Sequence, residues 1–214
     1  NKEKYYKDDK AWNEAEGILR KVLKNRKCQF VEAKNEATFY GPKIDVQMKN
    51  VRGKEDTAFT VQYDFVMPKR FGLNYTNEKG KEKETVVVHR SSIGAIERTI
   101  AFILEKTAGQ LPLWLSPVQA RIINIGLNHL DYAKKILEEL KNNGIRAELI
   151  SEDSVGKRIR EAELQKIPYI LVVGDKEVKN KTVNVRHYHR GQEGEFEIKN
   201  LIEKIKKEIV GKNI

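Results

Sequence analysis

Apolar residues recur at three- and four-residue steps from Trp12 through Ala15, Ile18, Leu19, Val22 and Leu23. That spacing belongs to one buried face of an α-helix and predicts a helix over residues 10–25, with Asp9 as its N-cap. The period then changes to two. Ile44, Val46 and Met48 alternate with polar neighbours, and Phe59, Val61, Tyr63 and Phe65 alternate with Thr60, Gln62 and Asp64. Both runs predict antiparallel strands, with a turn at Arg52-Gly53 between them. Residues 85–89, nearly continuous in valine, predict a strand at the centre of the sheet. It leads through Ser91-Ser92 into a helix over 93–106, whose inner face carries Ile93, Ile96, Ile100, Ile103 and Leu104 and which Gly109 closes.

Two prolines within residues 111–117 mark a junction. Beyond it the two periods alternate. Strands are predicted at 121–126, 146–150, 169–173 and 182–187, helices at 131–142, 156–166 and 195–209, and a turn at Gly174-Asp175. This order predicts an α/β domain with helices covering a mostly parallel sheet, its last strand antiparallel. The fold class is therefore α+β followed by α/β, with domains at 1–111 and 118–214 joined by 112–117.

A length of 214 residues suits one or two domains. With 39% hydrophobic and 34% charged residues, the chain is not disordered throughout. No run approaches the ~20 apolar residues of a membrane span, and the polar start lacks the apolar core of a signal peptide; the expectation is a cytoplasmic protein with no membrane partner. The single cysteine, Cys28, excludes an internal disulfide and any multi-cysteine zinc site within the chain. Because residue 1 is asparagine, the sequence is read as part of a longer protein. The net charge of +10 divides into +6 up to Pro117 and +4 beyond it. A long anion touching both halves and a lysine-rich surface serving solubility both fit that distribution.

Alternation puts Thr60, Gln62 and Asp64 on one strand face, which suits a solvent face or a substrate-binding one. Tyr40 and Lys43, in the glycine- and proline-punctuated run Phe39-Tyr40-Gly41-Pro42-Lys43-Ile44-Asp45, are placed beside that face. Within His89-Arg90-Ser91-Ser92-Ile93-Gly94-Ala95-Ile96-Glu97-Arg98, a glycine just inside a helix costs about 1 kcal/mol and often marks close approach of a backbone or ligand. Arg98 follows one turn later, in reach of an anion over Gly94; an ordinary helix fits the same spacing.

These segments, with Thr60-Val61-Gln62-Tyr63-Asp64-Phe65, Leu113-Trp114-Leu115-Ser116-Pro117-Val118-Gln119 and Val172-Val173-Gly174-Asp175-Lys176-Glu177-Val178, resemble the threonyl-tRNA synthetases over nearly the whole chain. The resemblance implies the C-terminal part of a class II antiparallel catalytic domain followed by a mixed-sheet anticodon-binding domain. It implies that His89 is one of three zinc ligands, and that Tyr40, Gln62 and Lys43 lie at the threonine site. It also implies that Gln62, Gly94 and Arg98 serve ATP, Arg98 as the catalytic arginine on the phosphates. Its anticodon contacts fall on Arg160, Lys166, Glu177 and Arg186. The implied partners are threonine, ATP with magnesium and threonine tRNA, in a homodimer holding zinc. Zinc bound to the substrate hydroxyl would separate threonine from isosteric valine, which an apolar pocket cannot do.

The remaining zinc ligands and the first two class motifs are expected upstream of Asn1, so the isolated chain is expected neither to hold zinc tightly nor to be active. Two departures stand out: Ala95 where the family has serine, and Asp56-Thr57-Ala58-Phe59 where it has a Trp-Gln-Cys-Gly-like stretch. They remove expected substrate contacts. A non-catalytic RNA-binding paralogue is the competing reading. Arg160 also fits a surface ion pair with Glu161 or Glu163, and His187 and His189 fit stacking or plain surface better than metal binding.

Overall fold

The computed structural model describes residues 3–212; residues 1, 2, 213 and 214, at the ends of the two predicted domains, lie outside the described residues. The chain separates into two compact units, Asn1–Glu105 and Lys106–Ile214.

In the first unit, helix α1 spans Asp9–Asn25. Its cap is Asp8, not Asp9: the Asp8 carboxylate accepts the Ala11 N–H at 3.0 Å, and Asp9 is already helical. Strands β1 (Lys43–Lys49) and β2 (Glu55–Asp64) pair antiparallel. Asn50 shapes the turn between them by accepting the Arg52 and Lys54 N–H groups on its side-chain oxygen. A short helix α2 (Met67–Phe71) and a small exposed hairpin, β3 (Asn74–Thr76) with β4 (Glu82–Glu84), follow. Strand β5 (Val87–Arg90) then pairs with β2.

The order β1-β2-β5 puts β5 at an edge, so the predicted central position is wrong, and Val88 is 57% exposed. Helix α3 spans Ile96–Thr107 and begins three residues later than predicted. Much of its expected inner face is open, with Ile93, Ile96, Ile100 and Leu104 each about half exposed. The core of this unit gathers where α1 meets the end of β2: Ala15, Phe65 and Val66 are buried, with Trp12, Tyr40 and Tyr63 packed against them. Trp12 meets Phe65 edge-on at 5.4 Å.

The second unit holds a five-stranded sheet in the order β10-β9-β8-β6-β7. Its strands are β6 (Ala120–Asn124), β7 (Ala147–Ile150), β8 (Tyr169–Val173), β9 (Thr182–His187) and β10 (Gly191–Glu197). β6 is parallel to β7 and β8, whereas β9 and β10 continue antiparallel. Helices α4 (Leu130–Asn142) and α5 (Val155–Leu164) make the parallel crossovers. Two elements depart from expectation. The predicted turn at Gly174-Asp175 is a short helix α6 (Asp175–Asn180), and the predicted final helix starts late, as α7 (Ile198–Gly211), because residues 191–197 form β10.

The proline-rich segment belongs to this unit. Leu113 is buried in its main core, Gln119 donates to the Leu113 carbonyl at 2.9 Å, and Arg146 donates to the Ser116 and Trp114 carbonyls. No helix among the described residues is long and apolar enough to cross a membrane.

Brief digestion with a protease of broad specificity should therefore cut first in the Asn50–Lys54 and Asn77–Lys81 turns and near Lys106, with fragments read by mass spectrometry. Early cleavage between Leu113 and Gln119 would contradict the packing of that segment.

Candidate functional site

Strand register assembles the first cluster. Lys43 stands opposite Gln62 and Gln62 opposite His89, so the three share one row and one face of the β1-β2-β5 sheet. The Tyr40 hydroxyl donates to the Gln62 side-chain oxygen, and the Tyr40 ring lies 5.7 Å from the His89 ring. Lys43 is held by Asp45 at 2.5 Å, and the same carboxylate accepts from Thr60 at 2.7 Å. The face is not uniformly open. Asp64 is fully buried, accepts the Val66 and Met67 N–H groups at 2.9 Å each, and lies 2.8 Å from His89 Nε2. An Nε2–H donor there leaves Nδ1 of this half-exposed ring free to accept or to coordinate. The sequence pattern puts Asp64 on the polar face; its two-residue diagonal from His89 is visible only once β2 and β5 are paired.

Gly94 and Arg98 reach the same groove by a route different from helical spacing. Gly94 precedes α3, in a turn with φ +66° where Ser91 Oγ accepts its N–H at 2.9 Å. A Cβ at this position would fall 1.9 Å from the Ala58 carbonyl oxygen, so backbone lies against backbone and glycine is required. Arg98 donates to the Thr57 carbonyl at 2.6 Å. Together with Phe59, Thr60, Gln62 and His89 they line an open groove of about 360 Å³. Among the described residues no three histidine, cysteine or carboxylate side chains converge as a metal site requires. The residues present do not by themselves make a zinc site.

The four residues assigned to the anticodon are spread over the second unit. Arg160 is exposed on α5; its expected partners are taken, Glu163 by Arg186 at 2.9 Å and Glu161 by Lys157 at 4.0 Å. Lys166 follows α5 with φ +58°, ahead of β8, and Glu177 lies beyond the far end of that strand. The five residues of β8 hold the two ends on the order of 17 Å apart. Glu177 is mostly buried and its carboxylate accepts the Gly174 N–H at 2.9 Å, closing the first turn of α6.

His187 is the last residue of β9 and is buried. Its Nδ1 accepts the His189 and Arg190 N–H groups, Nε2 has no hydrogen-bond partner, and the nearest carboxylate is Glu208 at 3.8 Å. Burial foremost, then the charge of Arg190, pushes its pKa down to about 4, with Glu208 and Glu193 opposing. This places His187 inside the fold, not on the surface that stacking would use.

Both halves of the chain match known protein families. Residues 2–107 match the tRNA synthetase class II core domain (G, H, P, S and T), and residues 119–208 match the anticodon binding domain. The chain is 45% identical over 213 residues to the threonine–tRNA ligase of Clostridium perfringens, covering 99% of itself and 33% of that protein. The chain belongs to the threonyl-tRNA synthetase family. It is 50% identical over 188 residues to threonine–tRNA ligase 1 of Bacillus subtilis, covering 87% of itself and 29% of that protein. A solved structure of the RNA binding domain of threonyl-tRNA synthetase from Cryptosporidium parvum superposes with a TM-score of 0.86 at 33% identity, covering 95% of this chain and 52% of that one. The chain thus spans about a third of the length of these curated synthetases.

Two outcomes test this geometry. Gly94→Ala should destabilise the first unit by on the order of 2 kcal/mol, read by urea unfolding, because the backbone is both left-handed and blocked; an unchanged midpoint would refute the close approach. His187, lowered in the folded state, binds more protons when unfolded, so its contribution is present above its unfolded pKa of about 6.5 and is lost as pH falls toward 4. His187→Gln should flatten the fall in stability between pH 6.5 and 4, by on the order of 2 kcal/mol across that window; an unaltered slope would contradict it.

Proposed function

We propose that this chain works as the C-terminal third of a threonine–tRNA ligase, its first unit completing the site where threonine is activated with ATP and its second reading the anticodon of threonine tRNA. In this reading residues 1–111 belong to the catalytic domain, 112–117 to the junction and 118–214 to the anticodon reader, working in a cytoplasmic homodimer. The observation that carries the proposal is the 45% identity sustained along 99% of the chain; the geometry supports it.

Tyr40, Gln62 and Lys43 present hydroxyl, amide and ammonium groups to one spot on the sheet, where a small amino acid with its own ammonium, carboxylate and hydroxyl finds complementary partners. Arg98 spends one of its five N–H donors on Thr57 and keeps others for phosphate oxygens of magnesium-bound ATP. Gly94 lets the turn lie against β2, so that Arg98 and Gln62 line one groove. A zinc ion would need ligands beyond this chain and would offer the substrate hydroxyl a Lewis acid; within this chain His89 would be the residue offered to it, with Asp64 fixing the ring.

The full-length protein carrying this chain should show threonine-dependent exchange of pyrophosphate into ATP, and Arg98→Ala should lower that rate by about 10²-fold or more, as loss of a phosphate-directed charge does. An inactive full-length protein, or an unaffected Arg98→Ala variant, would overturn the assignment.

A further inference from the structure

The antiparallel half of the five-stranded sheet carries a polar face that helices meet only at its edges, through Glu163 of α5 on Arg186 and Lys176 and Asn180 of α6 on Glu195. On one face α4 and α7 bury Ile136, Leu140, Leu201 and Ile205 against Ile122, Leu171 and Val185. On the other, α5 alone buries Ala162 against Ile123 and Ile170, and its cover ends over β6 and β8. Alternation along β9 sends Val183 and Val185 into the two-helix core and leaves Asn184 and Arg186 on the single-helix face.

A β-bulge extends this face across β10. Gln192 pairs with Arg186 and Glu195 with Asn184, while the register shifts between Gln192 and Gly194. Residues 192 and 195, an odd number apart, fall on opposite sides of a regular strand; the extra residue brings both to the polar face. Glu193, turned the other way by the same bulge, is held by Lys204 of α7 at 2.8 Å.

We infer that Asn184 and Gln192 form a reading pair for the edge of one unpaired anticodon-loop base, beside Arg186; the inference rests on the RNA reading proposed above. Gln192 donates its amide N–H to the Asn184 side-chain oxygen. That bond leaves the Asn184 amide nitrogen as donor and the Gln192 oxygen as acceptor, neither with a protein partner among the described residues. A donor beside an acceptor is the complement of a base edge, and unpaired bases offer such edges whereas an A-form helix hides them. Val172, half-buried and directly opposite Asn184 on β8, provides an apolar floor beside the pair. Arg186, its side chain 46% exposed and ion-paired with Glu163 at 2.9 Å, flanks the patch and keeps further N–H donors for an RNA oxygen or base. The patch is too polar for an apolar protein partner, and the net charge of +10 favours a nucleic acid.

The test uses the full chain and labelled stem-loops, one with the threonine tRNA anticodon and three with single anticodon bases replaced, by fluorescence anisotropy at fixed salt. The unaltered chain should prefer the first loop. Asn184→Ala, Gln192→Ala and the isosteric Asn184→Asp should each weaken it by about tenfold and erase discrimination at one and the same base, leaving the other two. Lys207→Ala, at an exposed position of α7 across the sheet, should leave all preferences intact. Retained discrimination at every base in the Asn184 and Gln192 variants would overturn the reading pair while the anticodon reading stands. Equal binding of all four loops by the unaltered chain would overturn the anticodon reading itself, and the pair with it.

Discussion

Every sheet has two faces, and a face without an apolar cover must be polar or must find a partner. That constraint organises both halves of this chain. In the second unit, α4 and α7 close one side of the five-stranded sheet, and α5 closes only the parallel half of the other. Where the helical cover stops, the side chains change from Ile170 and Ile123 to Asn184, Arg186 and Gln192, and the strand remains stable in water without a lid. In the first unit the residues are not exchanged in this way: Ile96, Ile100 and Leu104 keep an apolar stripe on α3 that is about half exposed. Apolar patches of that kind mark surfaces used for association.

The same constraint explains which parts of the fold were legible in the sequence. Helix α4 and strands β6 and β8 were read within a few residues because each is covered as its periodicity demands, with Ala133, Ile136 and Leu140 inward on α4. Strand β10 was hidden. Its run Gly191–Glu197 contains two glycines and a bulge, which break the two-residue alternation, and Phe196 merges with the helical period of α7. The valines of 85–89 suggested a buried strand, but valine content reports only what a strand could pack against; β5 has one neighbour in this chain. Helix α6 was missed because six residues give too few turns for a period.

The candidate catalytic residues were legible as a family pattern, whereas their mutual geometry was not. Lys43, Gln62 and His89 are separated by 19 and 27 positions in sequence and become a row only through two antiparallel registers. The buried carboxylate of Asp64 then fixes the end of that row. It takes two backbone N–H groups from the start of α2 and faces His89, so the strand end, the helix start and the imidazole share one anchor. Three hydrogen-bonding partners are what make a fully buried carboxylate tolerable.

At Gly94 the requirement for glycine comes from the backbone and not from helical spacing. Glycine is costly inside a helix, yet Gly94 lies before α3 and has a left-handed backbone. What requires glycine is the Ala58 carbonyl, close enough to exclude any Cβ. That contact presses the turn onto β2 at the place where Arg98 reaches the neighbouring Thr57 carbonyl. The two contacts fall on adjacent residues of one strand, so the position of Arg98 in the groove is set by backbone packing at Gly94 as much as by the arginine's own hydrogen bond. A side chain at residue 94 would displace the cation from the groove without touching it.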